Sequence, residues 1–407
     1  YKYLYTIYII TMSFYILPKN SFLIHKHITY TATDTCPEPV VSNSLSDYLY
    51  EIKKKIEERD SQWDSYKKYT NPYEYIHTVI PYKKKSIAKY KPLSRSFFKM
   101  IELIHTFQLS QSIHPITTFH LAEGPGGFIE AICMIRKNKN DRYIGMTLQD
   151  EVNDPNIPGW KKAESFLKQN PNVYIETGND KTGNILSLTN LVGCKELYGS
   201  SIDLITADGG FDFSTDFNNQ EISIAKLLFA QTCFALTMQK QHGTFILKIF
   251  DCFMQHTTDI LCILSSFYNK VFITKPHTSR YANSEKYIIC KDFLLPSCER
   301  FFPFIIRAFT KMLSSPTNIT NQTYVHRFLN CSIPLSFISK IEEYNAILGQ
   351  QQLENIHSTL LLIDNQYNQE KIDSLVNTNI QKSILLCTKL GIQHNNFTTT
   401  PVNIFLS

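Results

Sequence analysis

An α/β fold built on a mainly parallel sheet is what this sequence predicts, and three observations carry the prediction. Between residues 93 and 295, short apolar runs alternate with longer stretches of helical spacing. Seven such runs occur: 117–122, 143–148, 173–176, 202–207, 244–249, 271–274 and 287–291. The first is followed at once by glycines and a proline, then by an apolar helical pattern, in "FHLAEGPGGFIEAI" (residues 119–132). Strand, glycine turn and helix in that order form the opening unit of a βα-repeating sheet.

The flanking regions read differently. Residues 1–92 are rich in Tyr and Lys, and 44–69 reads as one charged helix with Ser44 or Ser46 as its cap. Residues 296–407 are polar and mostly helical in pattern, notably 336–363 and 381–392. The expected organisation is therefore an N-terminal extension (1–92), an α/β domain (93–295) and a helical C-terminal region (296–407). Residues 1–17 are apolar and aromatic, at the lower limit of a membrane span and without a signal-peptide cleavage site. The first Met is Met12, and an ordinary β segment after it is expected, in a soluble protein with no membrane partner.

Composition narrows the function classes. The 407 residues carry a formal charge of only +5, so any polyanion surface must come from local clustering. The ten cysteines contain no C-x-x-C pair and no His/Cys spacing of the zinc type. Free thiols, no metal and no disulfide framework are expected. Four N-x-[ST] sequons, at Asn318, Asn321, Asn330 and Asn396, are what a chain rich in Asn, Ser and Thr produces by chance.

Glycines between a strand and a helix let a ligand approach the backbone, and the helix offers unpaired N–H groups. "EGPGG" is not G-x-G-x-x-G and has no P-loop lysine, which weakens dinucleotide and ATP readings. Spacing alone leaves a tight turn and a cofactor loop equally open. On pattern alone, Lys99 and Glu102, three apart on a helix, read as a surface ion pair. Asp208 reads as a turn starter before two glycines, and Glu285 as a strand-edge charge. Lys248, a lone charge at the end of the apolar run "TFILKIF", needs a reason.

The order of five phrases supplies that reason. "SRSFFKM", "AEGPGGF", "DLITADGGF", "GTFILKIFD" and "KPHTSRYANSEKYIICK" resemble FtsJ-like RNA 2′-O-ribose methyltransferases over roughly two hundred residues, nearest the branch acting on the first nucleotides of capped mRNA. The resemblance implies a Rossmann-like S-adenosylmethionine-dependent methyltransferase fold, with Lys99, Asp208, Lys248 and Glu285 as the catalytic tetrad. It also implies a methyl-donor site of Glu123, Gly124, Pro125, Gly126, Gly127, Phe128, Leu148, Asp150, Asp180 and Asp208. His120, where relatives carry an acid, and Asn184, where Asp is common, depart from the pattern. A ribose hydroxyl attacks only as its proton is withdrawn, which suits Lys248 as base or alkoxide stabiliser. Asp208 would orient it, and Lys99 and Glu285 would fix the geometry.

RNA contacts are expected of Lys83, Lys84, Lys85, Lys89, Lys91 and Arg95, a basic run interleaved with tyrosines just before Lys99. The implied partner is RNA, capped mRNA in first place, together with other capping or transcription proteins. A ribosomal or transfer RNA methyltransferase, and a weakly active cap-binding scaffold, are the alternatives. The Asn, Ile, Lys and Tyr bias suits an AT-rich genome such as that of a large DNA virus, which would place the protein in host cytoplasm or virion, and otherwise in cytoplasm or nucleus.

Overall fold

Strands of the predicted α/β region that are joined by a helix run parallel, because the helix carries the chain back across the sheet. The structure is a computed structural model and describes residues 12–149, 159–210, 218–315, 323–365 and 368–397. Two short strands come first, β1 (Phe14–Ile16) and β2 (Ile28–Thr33), then helices α1 (Asn43–Glu57) and α2 (Asp60–Thr70).

The single helix expected over 44–69 is thus two. The break at Glu58 and Arg59 lets Ile56 and Trp63 pack together against Ile356, Leu360 and Ile363, while Arg59 bonds Asp364 at 3.1 Å. The first of the two is preceded by Ser42 in a left-handed conformation, without a side-chain cap, so neither Ser44 nor Ser46 caps it.

The central region runs α3 (Ser96–Phe107), β3 (Thr117–Leu121), α4 (Gly127–Arg136), β4 (Arg142–Met146), α5 (Glu164–Gln169), β5 (Val173–Glu176), α6 (Leu188–Tyr198), β6 (Ile202–Ala207), α7 (Gln220–Ser223), α8 (Ala225–Met238), β7 (Gln239–Ile249), α9 (Gln255–Phe267), β8 (Tyr268–Thr274) and β9 (Lys286–Phe293). After it come α10 (Phe302–Leu313), β10 (Tyr324–Leu329), α11 (Leu335–Asp364) and α12 (Gln369–Lys389). All seven expected strands exist; β7, β8 and β9 extend beyond the apolar runs that marked them.

The eight strands of the main sheet are ordered β1-β8-β9-β7-β6-β3-β4-β5. Strands β3 to β7 are parallel, β9 is antiparallel to both β7 and β8, and β1 closes the edge against β8. The flanking regions are not separate in space, because β10 pairs with β2 and α11 lies across α1 and α2. Helix α8 is apolar nearly all round and is buried at every position but Lys226, as befits a helix covered on all sides. All ten cysteines are unpaired. Among the described residues no helix is long and apolar enough to cross a membrane.

From β3 the chain moves outward to β4 and β5, then returns to lay β6 and β7 on the other side of β3. A parallel sheet opens a crevice at the carboxyl ends of its strands where the winding reverses. The loops after β3, β6 and β7 meet there.

Candidate active site

The glycine loop after β3 is built by backbone demands. Ala122 and Gly126 adopt positive φ, 53° and 107°, and the second value is one that only glycine adopts without strain. Gly127 answers to packing: a Cβ there would lie 2.2 Å from Ser94 Oγ and 2.3 Å from Ser96 Oγ, so its absence lets the start of α3 approach α4. Phe128 is fully buried in the apolar layer beneath.

Glu123 is also buried. One carboxylate oxygen accepts from Phe128 N–H at 2.7 Å and Ile129 N–H at 3.4 Å, capping α4. The other, Oε2, is buried without a protein partner. Burial first, and the nearby Asp208 charge second, push this carboxyl well above its usual range. A buried acid with one unfilled oxygen at a strand-end crevice is a place for a polar ligand group.

The four tetrad residues come together at the same edge as two ion pairs. Lys248 stands at the end of β7 and Asp208 just past β6, and the two strands are parallel neighbours. Lys248 Nζ donates to the Asp208 carbonyl at 2.6 Å and lies 3.2 Å from its carboxylate. Because β9 runs antiparallel to β7, its beginning meets the end of β7, which brings Glu285 to the site. Lys99 reaches the Glu285 carboxylate from α3 at 2.8 Å. The ion pair of Lys99 with Glu102 expected from spacing does not form, since Glu102 is buried against residues 277 and 278. Burial raises the Glu285 pKa, but Lys99, Lys248 and Lys275 together outweigh it and hold the carboxyl at about 2.

Sequence reasoning missed two neighbours. Tyr287 lies directly opposite Lys248 in the antiparallel register, and its hydroxyl donates to Asp208 Oδ1 at 2.9 Å. Lys275 is buried and donates to the Asn283 carbonyl and side chain and to the Glu285 carbonyl, at 2.7–2.8 Å. Burial drives its ammonium pKa well below the usual value, against the pull of Glu285. The signal was present: Lys275 ends the apolar run "VFIT", as Lys248 ends its own.

The outer positions are uneven. Leu148 is 43% exposed at the rim, whereas Asp150 lies outside the described residues. Asp180 is held at about 2: desolvation opposes the shift, and hydrogen bonds from Ser187, Thr182 and Asn190 prevail. Those bonds order the loop 180–190 around it. Asn184 accepts from Leu186 N–H in the same loop. His120 is buried between Thr118 and Thr206, and burial lowers its pKa to about 3, so the imidazole is neutral. Lys83, Lys84, Lys85, Lys89 and Lys91 are exposed, and the last four border an open groove of about 640 Å³ with His77 and Asn395. Arg95 is instead bound to Glu74 at 3.0 Å and to the Thr278 carbonyl at 2.8 Å.

Comparison with known proteins identifies the domain that holds these residues. The family model described as FtsJ-like methyltransferase matches residues 92–293. These residues form an FtsJ-like methyltransferase domain. A cap-specific mRNA (nucleoside-2′-O-)-methyltransferase 2 of Danio rerio is 28% identical over 333 residues, covering 78% of this chain and 43% of its own length. A cap-specific mRNA (nucleoside-2′-O-)-methyltransferase 1 of Dictyostelium discoideum is 33% identical over 245 residues, 57% of this chain and 31% of the relative. An inactive cap-specific mRNA (nucleoside-2′-O-)-methyltransferase 1B of Caenorhabditis briggsae is 26% identical over 239 residues, 56% of this chain and 27% of the relative. The chain spans less than half the length of these relatives. The methyltransferase domain contains both ion pairs and the glycine loop.

Proposed function

We propose that the chain is an S-adenosylmethionine-dependent RNA methyltransferase that modifies the 2′-hydroxyl of cap-proximal riboses in mRNA. The observation that carries this reading is the convergence of Lys99, Asp208, Lys248 and Glu285 at one strand-end crevice, beside the Glu123 loop. The names of the relatives support the choice of capped mRNA.

The donor fits the residues present. Glu123 Oε2 has no protein partner, Gly126 turns the loop at a φ of 107° beside the Trp160 ring, and Asp208 stands at the same crevice. Glu123, Gly124, Pro125, Gly126 and Asp208 would hold the amino-acid portion, with Leu148 and Asp180 toward the nucleoside. When bound, S-adenosylmethionine supplies an electrophilic methyl group on a sulfonium.

The chain's own work is then on the hydroxyl. Lys248 Nζ is fixed by Asp208 through two oxygens, so its remaining hydrogen-bonding direction is free for a substrate oxygen whose proton is leaving. Tyr287 keeps the Asp208 carboxylate from rotating. Lys99, neutralised in part by Glu285, adds a second positioned cation. Alignment of the reacting atoms in such a site can contribute roughly 7–11 kcal/mol to the rate.

The deciding experiment is methyl transfer from labelled donor to matched capped and uncapped RNAs, with the modified nucleotide identified. Transfer to a cap-proximal ribose is expected. Transfer only to uncapped structured RNA would point to a ribosomal or transfer RNA substrate, and transfer to neither would align the chain with the inactive relative. The lysine groove at 84–91 is the proposed path for RNA, and association with other capping or transcription proteins fits the same reading.

A further inference from the structure

Helix α3 does more than carry Lys99. The loop from Lys275 to Glu285, which delivers one partner of the tetrad, is fastened to one stripe of that helix. Arg95, Lys99 and Glu102 follow at intervals of four and three, so they share a face. Arg95 donates twice to the Thr278 carbonyl, at 2.8 and 3.1 Å. Lys99 holds Glu285. Glu102, its side chain only 2% exposed, accepts from His277 N–H at 2.9 Å, Thr278 N–H at 2.7 Å and the Thr278 hydroxyl at 2.5 Å, with His277 Nδ1 at 3.1 Å.

A second buried carboxylate secures the same assembly from outside. Glu74 accepts from Arg95 at 3.0 Å and from Arg280 at 2.7 and 3.0 Å, so Arg280 ties the middle of the loop to the arginine that grips its start. Lys275 closes the far end by donating to the Glu285 carbonyl at 2.8 Å. A segment without regular secondary structure is thereby held at its start, middle and end.

From this geometry we infer that Glu102 is a positioning residue for methyl transfer, acting through the 275–285 loop to set the Lys99–Glu285 pair. The inference rests on the reading of the site as an RNA 2′-O-methyltransferase. Backbone N–H groups of a loop have no helix or strand to satisfy them, and a buried carboxylate that accepts two of them in one place fixes the loop's register. Neutral glutamine at this position keeps the volume but turns its amide N–H toward donors, which leaves the loop under-satisfied.

The test compares the full-length chain with Glu102→Gln, Thr278→Val, Lys99→Ala and the Lys99→Ala/Glu102→Gln double variant. Thr278→Val removes one donor to Glu102 at nearly constant shape and serves if Glu102→Gln fails to fold. Two measurements are made: methyl transfer to capped RNA, and amide hydrogen exchange across residues 275–285. Positioning predicts a kcat loss on the order of 100-fold in Glu102→Gln with KM for RNA and donor unchanged, a smaller loss in Thr278→Val, and faster exchange in the loop. In the Lys99→Ala background the second substitution should cost little more, because the two act through one pair. A purely structural role predicts lower thermal stability with normal kcat per folded molecule, or losses that simply multiply, and either result overturns the inference. Should the wild-type chain methylate neither capped nor uncapped RNA, the functional reading fails, and exchange alone judges the clamp: unchanged exchange at 275–285 in both loop variants overturns it, faster exchange supports it.

Discussion

Lysines at two places in this molecule have opposite surroundings. Lys99, Lys248 and Lys275 are enclosed at the crevice with fixed acceptors. Lys83, Lys84, Lys85, Lys89 and Lys91 are exposed, the last four along an open groove. An enclosed ammonium costs desolvation that only exact partners offset, so each one is committed to a single geometry. An exposed ammonium costs almost nothing and stays adjustable, which suits a polymer that must thread past. Chemistry at a single atom is expected from the first group and collective, salt-dependent attraction from the second.

Four variants probe the contrast. The largest effect is expected of Lys248→Ala, which should slow methyl transfer roughly 100-fold to 10,000-fold, the range for a positioned proton-transfer group, with donor affinity retained. Near-normal turnover in the purified variant would remove Lys248 from the mechanism and erase the distinction between the two lysine groups.

Next is Glu285→Gln, which leaves Lys99 without its carboxylate partner and removes a negative charge near Lys275. Loss of one partner of a buried pair should lower unfolding free energy by about 3–5 kcal/mol. The effect has a pH signature of definite sign. Glu285 is held at about 2 in the fold against an ordinary value of 4.5, so its stabilising contribution is complete above about pH 4.5 and fades as pH falls toward 2. Urea titrations of the wild type and variant should therefore converge across that interval. Curves that stay parallel would mean that the pair is not coupled to folding as described.

Gly126→Val sharpens the boundary of the crevice. The new Cβ would lie 3.2 Å from the Trp160 ring at a φ of 107°, a strain on the order of 1–3 kcal/mol. Donor affinity measured by calorimetry is expected to drop while the sheet remains folded. An undiminished affinity would place the donor away from this loop.

The smallest effect per residue belongs to the exposed group. Neutralising Lys83, Lys84, Lys85 and Lys89 together should weaken binding of every RNA tested and flatten the dependence of log affinity on log salt by up to about 0.7 per lost phosphate contact. Donor affinity should be untouched. If the salt slope is unaltered, these lysines are a solvated face and the RNA path lies elsewhere.

Strand-forming runs were legible because a buried parallel strand must be apolar for several residues, and all seven emerged in the sheet. Lys248 was legible for the complementary reason, a charge that an apolar run has no use for. Lys275 stands in the same position, directly after the apolar run "VFIT". Glu102 and Lys99 illustrate the opposite failure: their spacing fits a local ion pair, yet both are drawn into contacts with a segment some 180 residues away. Gly127 is another instance, since the motif suggests ligand clearance while the space is filled by Ser94 and Ser96 at the start of α3.

What the sequence determined by itself was the alternation of elements, the glycine turn after the first central strand, and the identity of the residues able to move a proton or hold a charge. These are properties of local propensity and of residue chemistry, and they need no knowledge of the chain's path. Which charges meet was decided only by the tertiary structure. The antiparallel insertion of β9 beside β7 sets Tyr287 and Glu285 against Lys248, and the break between α1 and α2 follows from packing on α11. Partner choice depends on how strands are ordered and how distant segments desolvate one another. That information lies in the sum of the packing contacts rather than in any stretch of residues.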